Sequence, residues 1–291
     1  MSTYMSGDLL RIIAERLPQF SKGQKQIAAY ILEHYDKAAY MTAAKLGGLV
    51  GVSESTVVRF ATELGFEGYP ELQKSLQELI RTKLTALQRI EIANDRIGKS
   101  DLLETVLMSD VDKIKRTLDE IDRDSFNRAV DALISAKTIY VIGMRSSSSI
   151  ASFLSFYLNL IFPHVRLVRT TSGSEIFEQI LRISDDDVII GISFPRYSKR
   201  IINALEYAKS QSAHVIALTD GMASPIAPLA DDLLLAKSDM ASFVDSLVAP
   251  LSIVNALIAA IGLKKHAELA KTFERLENIW DEYEVYDKTN R

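Results

Sequence analysis

The chain has 291 residues, a length at which two domains are expected. It contains no cysteine, which excludes disulfides and thiolate chemistry, and its composition of 47% hydrophobic and 25% charged residues is typical of a globular protein. The net charge of −4 argues weakly against a nucleic-acid partner. Since no signal peptide opens the sequence and no apolar run reaches the ~18 residues of a membrane span, we expect a cytoplasmic protein with no membrane partner.

Residues 8–90 show helical periodicity throughout. Pro18 ends the first apolar stripe, Ser21 is placed to cap a second helix, and Gly65 is placed to close the fourth. The polar residues 91–100 indicate a linker. Helices are predicted over residues 9–17, from Ser21, from Thr42, over 53–64 and over 69–87.

Residues 47–60, G-G-L-V-G-V-S-E-S-T-V-V-R-F, have the spacing of a helix-turn-helix that covers about residues 43–62. Gly47 is small enough for two helices to cross closely, Gly51 can take the positive φ of a tight turn, and Ser53 stands at an N-cap position. The apolar side chains predicted to face inward are Leu46, Val50, Val52, Val57 and Phe60. The alternative is an ordinary helical hairpin with a solvated polar face.

The polar face of this motif predicts contacts in the major groove of DNA. The residues expected at phosphates are Lys45, Ser53 and Thr56. The residues expected at base edges are Glu54, Ser55 and Arg59, with Arg59 best suited to a guanine. Residues 1–83 contain ten Lys/Arg and nine Asp/Glu, a net charge of +1, so we expect modest non-specific affinity.

From residue 100 the pattern changes, after two further helices, to alternating strands and helices. Near-continuous apolar strands are typical of a parallel sheet covered on both faces, so this half is predicted to be a doubly wound α/β domain. Helices are predicted over 101–120, 124–136, 148–161, 174–182, 198–210 and 243–262. Strands are predicted over 138–142, 165–168, 187–192, 214–218 and 232–235.

The predicted helix 148–161 is apolar around nearly its whole circumference. One face can pack on the sheet, but the others need a second partner. A subunit interface is the natural partner, and a fully internal helix is the alternative.

Hydroxyl side chains follow three predicted strands at their carboxyl ends, where ligands bind in such sheets. Hydroxyls, helix-terminal amides and nearby arginines together form an anion cradle, so we predict a phosphorylated small ligand; the alternative is that the serines only cap helices. Neither a Walker A nor a G-x-G-x-x-G motif occurs, and no cofactor or metal is expected. The residues predicted to bind the ligand are Arg145, Ser146, Ser147, Ser193, Arg196, Ser198 and Thr219.

Two segments, V-S-E-S-T-V-V-R-F and L-G-F-E-G-Y, resemble the N-terminal domain of RpiR/MurR-type bacterial transcriptional regulators, and residues 137–262 resemble the sugar isomerase (SIS) domain that those regulators carry. The resemblance implies a homodimeric or homotetrameric regulator of sugar catabolism genes with a sugar phosphate as effector. Such a protein would read a pseudo-palindromic operator in double-stranded DNA. We accordingly expect a helix-turn-helix domain (1–83), a helical linker (84–123) and a SIS domain (124–291).

Within this resemblance, Ser147 matches the serine of the family's first phosphate loop, G-x-G-x-S, and Ser193 and Ser198 match the outer hydroxyls of its S-x-S-G-x-T loop. The sequence departs from both patterns. Arg145 replaces the second glycine of the first loop, while Pro195 and Arg196 replace the middle serine and the glycine of the second. Two arginines in place of two glycines suggest a ligand that is smaller or more anionic than an amino-sugar phosphate, and we hypothesise that it carries a carboxylate or a second phosphate.

The competing class is a SIS-type aldose–ketose isomerase, which needs a base that moves a proton between adjacent sugar carbons. Glu175 is the best candidate base, although a first-turn glutamate is also favoured by the helix dipole alone. Since a helix-turn-helix has no role in an isomerase, we expect a regulator and not an enzyme. A third class, an interaction module that binds protein, would use the outward face of residues 53–60.

Overall fold

The computed structural model describes residues 9–83, 90, 101–169, 175–240 and 244–286, which fall into two compact units, Met1–Ile92 and Ala93–Arg291. The predicted linker 91–100 and the predicted end of the fifth helix, 84–87, lie outside the described residues. The described helices of the first unit are α1 (Leu9–Arg16), α2 (Lys22–Ala38), α3 (Ala43–Val50), α4 (Glu54–Glu63) and α5 (Tyr69–Lys83).

The helix starts predicted in the first unit are confirmed by their caps. Ser21 and Gln24 form a reciprocal capping box, in which each side chain accepts a hydrogen bond from the other residue's backbone N–H. Thr42 caps α3 by accepting from the N–H of Lys45 at 3.2 Å. Ser53 caps α4. Each cap satisfies an amide that has no partner within its own helix.

The core of the first unit forms where α2 and α4 meet. Leu46, Val57 and Phe60 are fully buried, as the inward stripe predicts, and the Phe60 ring meets the edge of Phe20 at 5.1 Å between centroids. The other two predicted members of the stripe, Val50 and Val52, are half-buried at the turn between α3 and α4. The core therefore fixes which side of α4 faces outward.

Tyr69 holds the start of α5 against the end of α2. Its buried hydroxyl lies 2.9 Å from the carbonyl oxygen of Met41 and 3.2 Å from that of Ala38, so it donates to carbonyls at the last residue of α2 and just beyond it. Burial raises the pKa of Tyr69 from 10.0 to about 12, because the phenolate is poorly solvated there.

We expect this tyrosine to make the first unit alkali-sensitive. Because the pKa in the folded state lies above the unfolded value, the stabilisation is complete below pH 10 and is lost as the pH rises towards about 12. Chemical unfolding followed by circular dichroism on both sides of pH 10 measures the loss. Tyr69→Phe should lower stability by about 1 kcal/mol at neutral pH and reduce the alkaline loss. Tyr283→Phe, at a 72% exposed residue, is the control and should behave as wild type.

The second unit contains a five-stranded parallel sheet in the order β2-β1-β3-β4-β5, which confirms the predicted doubly wound α/β architecture. Each strand lies within one or two residues of its predicted position. The strands are β1 (Ile139–Gly143), β2 (Val165–Val168), β3 (Val188–Ile192), β4 (His214–Thr219) and β5 (Asp232–Leu235).

Helices cover both faces of this sheet. Buried residues of α7, α8 and α11 share one core with the sheet, and those of α9 and α10 share the core of the opposite face. The described helices of this unit are α6 (Leu102–Glu120), α7 (Arg123–Ser135), α8 (Ser147–Ile161), α9 (Glu175–Ile180), α10 (Lys199–Ser210), α11 (Val248–Lys264) and α12 (His266–Glu282). In α8, the side chain of Phe156 is 62% exposed, so this helix is not fully internal to the chain.

Helix α6 lies within the segment predicted as a linker, and it packs against the second unit. The Thr117 hydroxyl accepts from the N–H of Lys237 at 2.9 Å, and Arg116 pairs with Asp239 at 3.2 Å. The Lys113 ammonium is buried against Ser109 and Asp110. The described part of this segment is therefore attached to the sheet domain.

The C-terminal end differs from the prediction. The last predicted helix, 243–262, is observed as α11, which begins five residues later, and α12 follows it without having been predicted. None of the residues of α12 is buried, although its sequence has the one-sided apolar pattern of an amphipathic helix. Among the described residues no single helix is long and apolar enough to span a membrane; α11 and α12 satisfy that test only as a pair, bent by 97° at their junction.

Candidate functional site

The turn between α3 and α4 has the close geometry that its glycines predict. A Cβ added to Gly47 would lie 2.8 Å from the carbonyl oxygen of Val52, so only glycine fits this crossing. The Gly47 carbonyl in turn accepts from the Val52 N–H at 2.8 Å. Gly51 has a φ of +75°, the left-handed conformation that glycine adopts without strain. These contacts set the angle between α3 and α4.

Three hydroxyls gather at the start of α4. The Ser53 Oγ lies 2.8 Å from Thr56 Oγ1 and 2.9 Å from Ser55 Oγ, and it accepts from the Thr56 N–H at 3.3 Å. Helix N-termini attract anions because their first amides point outward and the helix dipole is positive there. The chemistry of this end of α4 therefore suits a phosphate.

The outward face of α4 carries the side chains predicted to read bases. Glu54, Ser55 and Arg59 are exposed, and the Arg59 Nε donates to the Ser55 carbonyl at 3.3 Å, which leaves the terminal guanidinium nitrogens beyond the helix. Lys45 is exposed on α3, and the predicted phosphate contact Thr56 is half-buried. The structure thus places five of these six residues on α4 or its cap.

A cleft that the sequence does not predict lies beside α4. Its floor belongs to the start of α2, which packs so closely on α4 that a Cβ on Gly23 would lie 3.4 Å from the Thr56 methyl carbon. The capping box at residues 21–24 was visible in the sequence, but its position beside α4 is a tertiary feature. The residues that line this cleft are Ser21, Gln24, Thr56, Arg59, Thr62 and Glu63.

In the second unit, two of the three predicted hydroxyl loops form one pocket. Strands β1 and β3 are neighbours, with Gly143 opposite Ile192, so the loops that follow them meet at the same edge of the sheet. The resulting space is called the serine pocket below. Its lining residues are Met144, Arg145, Ser146, Ser147, Ser193, Phe194, Pro195, Arg196, Ser198 and Asp245.

Two serines of this pocket belong to residues that are buried overall. Ser147 is 4% exposed and Ser193 is 3% exposed, and both line the pocket. A serine hydroxyl can both donate and accept a hydrogen bond, so these two side chains suit a polar or anionic ligand.

Two arginines of the serine pocket have unusual backbone conformations. Arg145 has a φ of 57° and Arg196 a φ of 65°, and both stand where the family pattern has glycine. The left-handed conformation costs a non-glycine residue roughly 1–2 kcal/mol. Strain of this kind at a pocket points to a functional use of the side chains that cause it.

Thr219 does not line the serine pocket. It is fully buried at the end of β4, where its hydroxyl donates towards Ser224 Oγ at 2.7 Å and lies 3.2 Å from Asp220 Oδ1. The third predicted loop therefore uses its hydroxyls to hold itself together. The structure instead adds Asp245, which reaches the serine pocket from the segment before α11. No strand-end pattern marks that segment, so the sequence does not predict this carboxylate.

A second pocket adjoins the serine pocket, and Met144 and Arg145 line both. The candidate isomerase base, Glu175, lies in the first turn of α9 and lines neither of them. Among the residues that the structure describes, no group of three or more His, Asp or Glu side chains could hold a metal ion. The other residues of the adjoining pocket are Gly143, Ser148, Ser152, Leu167, Val168 and Arg169.

Two family models match separate parts of the chain. The helix-turn-helix domain of the rpiR family matches residues 7–83, and the SIS domain matches residues 132–260. The HTH-type transcriptional regulator HexR of Escherichia coli is 25% identical over 291 residues, covering 94% of this chain and 95% of its own. An HTH-type transcriptional regulator of Caldanaerobacter subterraneus is 24% identical, covering 94% and 96%.

Solved structures show the same fold. The sugar isomerase domain of an RpiR transcription factor from Sphaerobacter thermophilus aligns with a TM-score of 0.59 at 27% identity, covering 62% of this chain and 99% of its own. The Vibrio vulnificus NanR protein, solved in complex with ManNAc-6P, aligns with a TM-score of 0.59 at 23% identity, covering 94% and 98%.

Proposed function

Because this chain belongs to the rpiR family of helix-turn-helix transcriptional regulators and carries a SIS domain, we propose that it controls carbohydrate-metabolism genes in response to a phosphorylated sugar or a related metabolite. The observation that carries the proposal is the serine pocket, whose lining combines the hydroxyls of Ser147 and Ser193 with two arginines in the left-handed conformation. A phosphate supplies the acceptor oxygens that such hydroxyls and guanidinium groups need.

The effector experiment uses the full-length protein and a DNA fragment recovered by in vitro selection. We expect at least one phosphorylated sugar to raise the melting temperature and to change the affinity for that fragment. The combined Ser147→Ala and Ser193→Ala variant should lose both responses while still binding DNA. Full responses in this variant, or the absence of any response across a broad panel of sugar phosphates, would contradict the proposal.

On the DNA side, we propose that α4 enters the major groove. Its N-terminal hydroxyls, together with Lys45, would contact phosphates, and its exposed face would contact base edges. The net charge of +1 in residues 1–83 gives one domain little electrostatic hold on DNA, so two copies in a homodimer or homotetramer would bind a pseudo-palindromic operator together.

Arg59→Ala is expected to weaken operator binding by about 1–3 kcal/mol, because arginine pairs with guanine through two hydrogen bonds. Fluorescence anisotropy with the selected fragment measures the change. Lys74→Ala removes the same charge from an exposed position on α5 and serves as the matched control. Equal losses in the two variants would show that Arg59 contributes only general charge.

We propose a role in oligomer formation for the aromatic side chains at the surface of α8. Phe156 is 62% exposed, and its ring meets that of the half-buried Tyr157 at 5.2 Å between centroids. The Tyr157 ring also meets that of the half-buried Phe153 at 5.0 Å. Exposed aromatic clusters of this kind are typical of subunit contacts. We further propose that ligand binding alters how the paired SIS domains present residues 84–123, and through them the spacing of the two DNA-reading helices.

The hypothesis that the protein is an isomerase is weaker, because the candidate base, Glu175, lines neither of the two pockets. Asp245 is the carboxylate in the described lining of the serine pocket, and a carboxylate there also suits the hydroxyl groups of a bound sugar. Solvent-proton exchange into candidate sugar phosphates distinguishes the two readings: a regulator should catalyse none, whereas exchange that Asp245→Asn abolishes would establish an enzyme.

A further inference from the structure

The pocket that adjoins the serine pocket has the chemistry of an anion site. Its described lining contains two arginines, Arg145 and Arg169, two serines and no carboxylate. Both arginines are exposed at its rim. Arg145 and Met144 line both pockets, so the two spaces adjoin at these side chains.

Arg169 is held in place at its backbone and at its side chain. Its backbone N–H donates to the Gln179 side-chain oxygen at 3.1 Å, and its carbonyl accepts from the Gln179 amide nitrogen at 2.6 Å. Its guanidinium Nη2 donates to Ser152 Oγ at 3.3 Å, and Ser152 is fixed by donating to the Ser148 carbonyl at 2.8 Å. A guanidinium oriented in this way is preorganised to bind an anion, so that little side-chain freedom is lost on binding.

The conformation of Arg145 supports the same conclusion independently. Its φ of 57° would suit glycine without strain, yet the residue carries a long cationic side chain at the boundary of the two pockets. The serine pocket contains Arg196 and the hydroxyls of Ser147 and Ser193, which suffice for one phosphate. Arg145 at the boundary of the two pockets and Arg169 beyond it exceed what a single anionic group requires.

We propose that the adjoining pocket is a second anion subsite, in which Arg145 and Arg169 bind a carboxylate or second phosphate of the effector. The inference rests on the proposed function and narrows the ligand class to doubly acidic sugar phosphates. In this arrangement the first phosphate contacts Ser147, Ser193 and Arg196. The sugar chain then passes Arg145 to place its second acidic group at Arg169.

Calorimetry on the full-length protein tests this with three probes. Glucose 6-phosphate has one anionic group, 6-phosphogluconate adds a carboxylate at the other end, and fructose 1,6-bisphosphate adds a phosphate there. We expect at least one of the doubly acidic probes to bind about tenfold or more tightly than glucose 6-phosphate. Which of the two binds better identifies the second group as a carboxylate or a phosphate.

Two arginine variants test which side chains cause the preference for the doubly acidic probes. Arg169→Gln should lower the affinity for the preferred acidic probe about ten- to hundredfold and leave glucose 6-phosphate unchanged. Arg145→Gly should lose the same preference and also melt at a higher temperature, because glycine removes the backbone strain. Arg275→Gln, at an exposed position on α12, controls for charge. Ser212→Gly, at an exposed residue with a φ of 63°, controls for strain relief and should raise the melting temperature without changing affinity.

The outcomes separate the inference from the function on which it rests. Equal affinity for all three probes, or equal losses for all probes in Arg169→Gln, would overturn the second subsite and leave a sugar-phosphate sensor. Binding only of sugar phosphates that have no acidic group besides the one phosphate would also overturn the second subsite. Failure of every phosphorylated sugar to bind would contradict the proposed function as well.

Discussion

Gly47→Ala is expected to abolish operator binding while the second unit stays folded. A methyl group at this position would lie 2.8 Å from the Val52 carbonyl oxygen and 3.4 Å from the Glu54 nitrogen. Both are backbone atoms in the turn that joins α3 to α4, so they cannot move aside as a flexible side chain does. The two helices must separate, at a cost of about 1–3 kcal/mol or more.

The loss of binding follows from the position of this contact. The crossing of α3 and α4 sets the direction of α4, and the side chains that read DNA have to meet base edges within hydrogen-bond distance. A change in the angle at the turn displaces the far end of α4 more than its start. We therefore expect the affinity for the selected operator fragment to fall by more than the loss of any single base contact.

Gly48→Ala is the matched control for this prediction. Gly48 belongs to the same helix, is exposed, and has nothing within 4 Å of an added Cβ. Alanine there should stabilise α3 by about 0.5–1 kcal/mol and leave operator binding unchanged. Melting curves and anisotropy measure both variants. Wild-type stability and affinity in Gly47→Ala would show that the crossing tolerates a side chain and that α4 is positioned by other contacts.

The helix starts of the first unit could be predicted because a cap is a local interaction. Ser21, Thr42 and Ser53 each stand at the residue before a helix and accept a hydrogen bond from an amide three residues later. No knowledge of the tertiary structure is needed to recognise such a pattern. The strands of the second unit were equally readable, because a buried parallel strand is apolar along its whole length.

The pockets could be predicted only in part. Parallel topology explains why the loops after β1 and β3 meet, so that Ser147 and Ser193 come together as expected. Topology does not specify whether a side chain at a strand end turns outward, and Thr219 turns into the protein. Asp245 and Arg169 enter from segments that carry no ligand motif, and only the tertiary structure shows what they line.

Arg145 and Arg196 replace two glycines of the family pattern, and the structure shows what these replacements change. The sequence reveals that glycine has been replaced, but it does not reveal whether the backbone keeps the conformation that glycine allows. The structure shows that it does, with φ values of 57° and 65°. The replacement therefore adds charge at the pocket at a cost in stability, which supports the proposed role of these arginines in binding.

Gly143→Ala is expected to destroy both pockets at once. Gly143 ends β1, and a Cβ there would lie 2.5 Å from the Ser147 carbonyl oxygen and 2.9 Å from the Ala151 Cβ. The first turn of α8 must move away from the strand, and it carries with it Arg145, Ser147 and the boundary between the two pockets. We expect the second unit to lose about 1–3 kcal/mol of stability or more, together with measurable affinity for every sugar phosphate.

The control for this variant is Gly221→Ala, since Gly221 follows β4 and has nothing within 4 Å of an added Cβ. It should bind and melt like wild type. Comparison with Arg145→Gly in the same loop gives the sharper test, because both variants weaken the binding of acidic probes but move the melting temperature in opposite directions. If Gly143→Ala bound those probes normally despite its lower melting temperature, the effector would not depend on the loop between β1 and α8, and the serine pocket would not be its site.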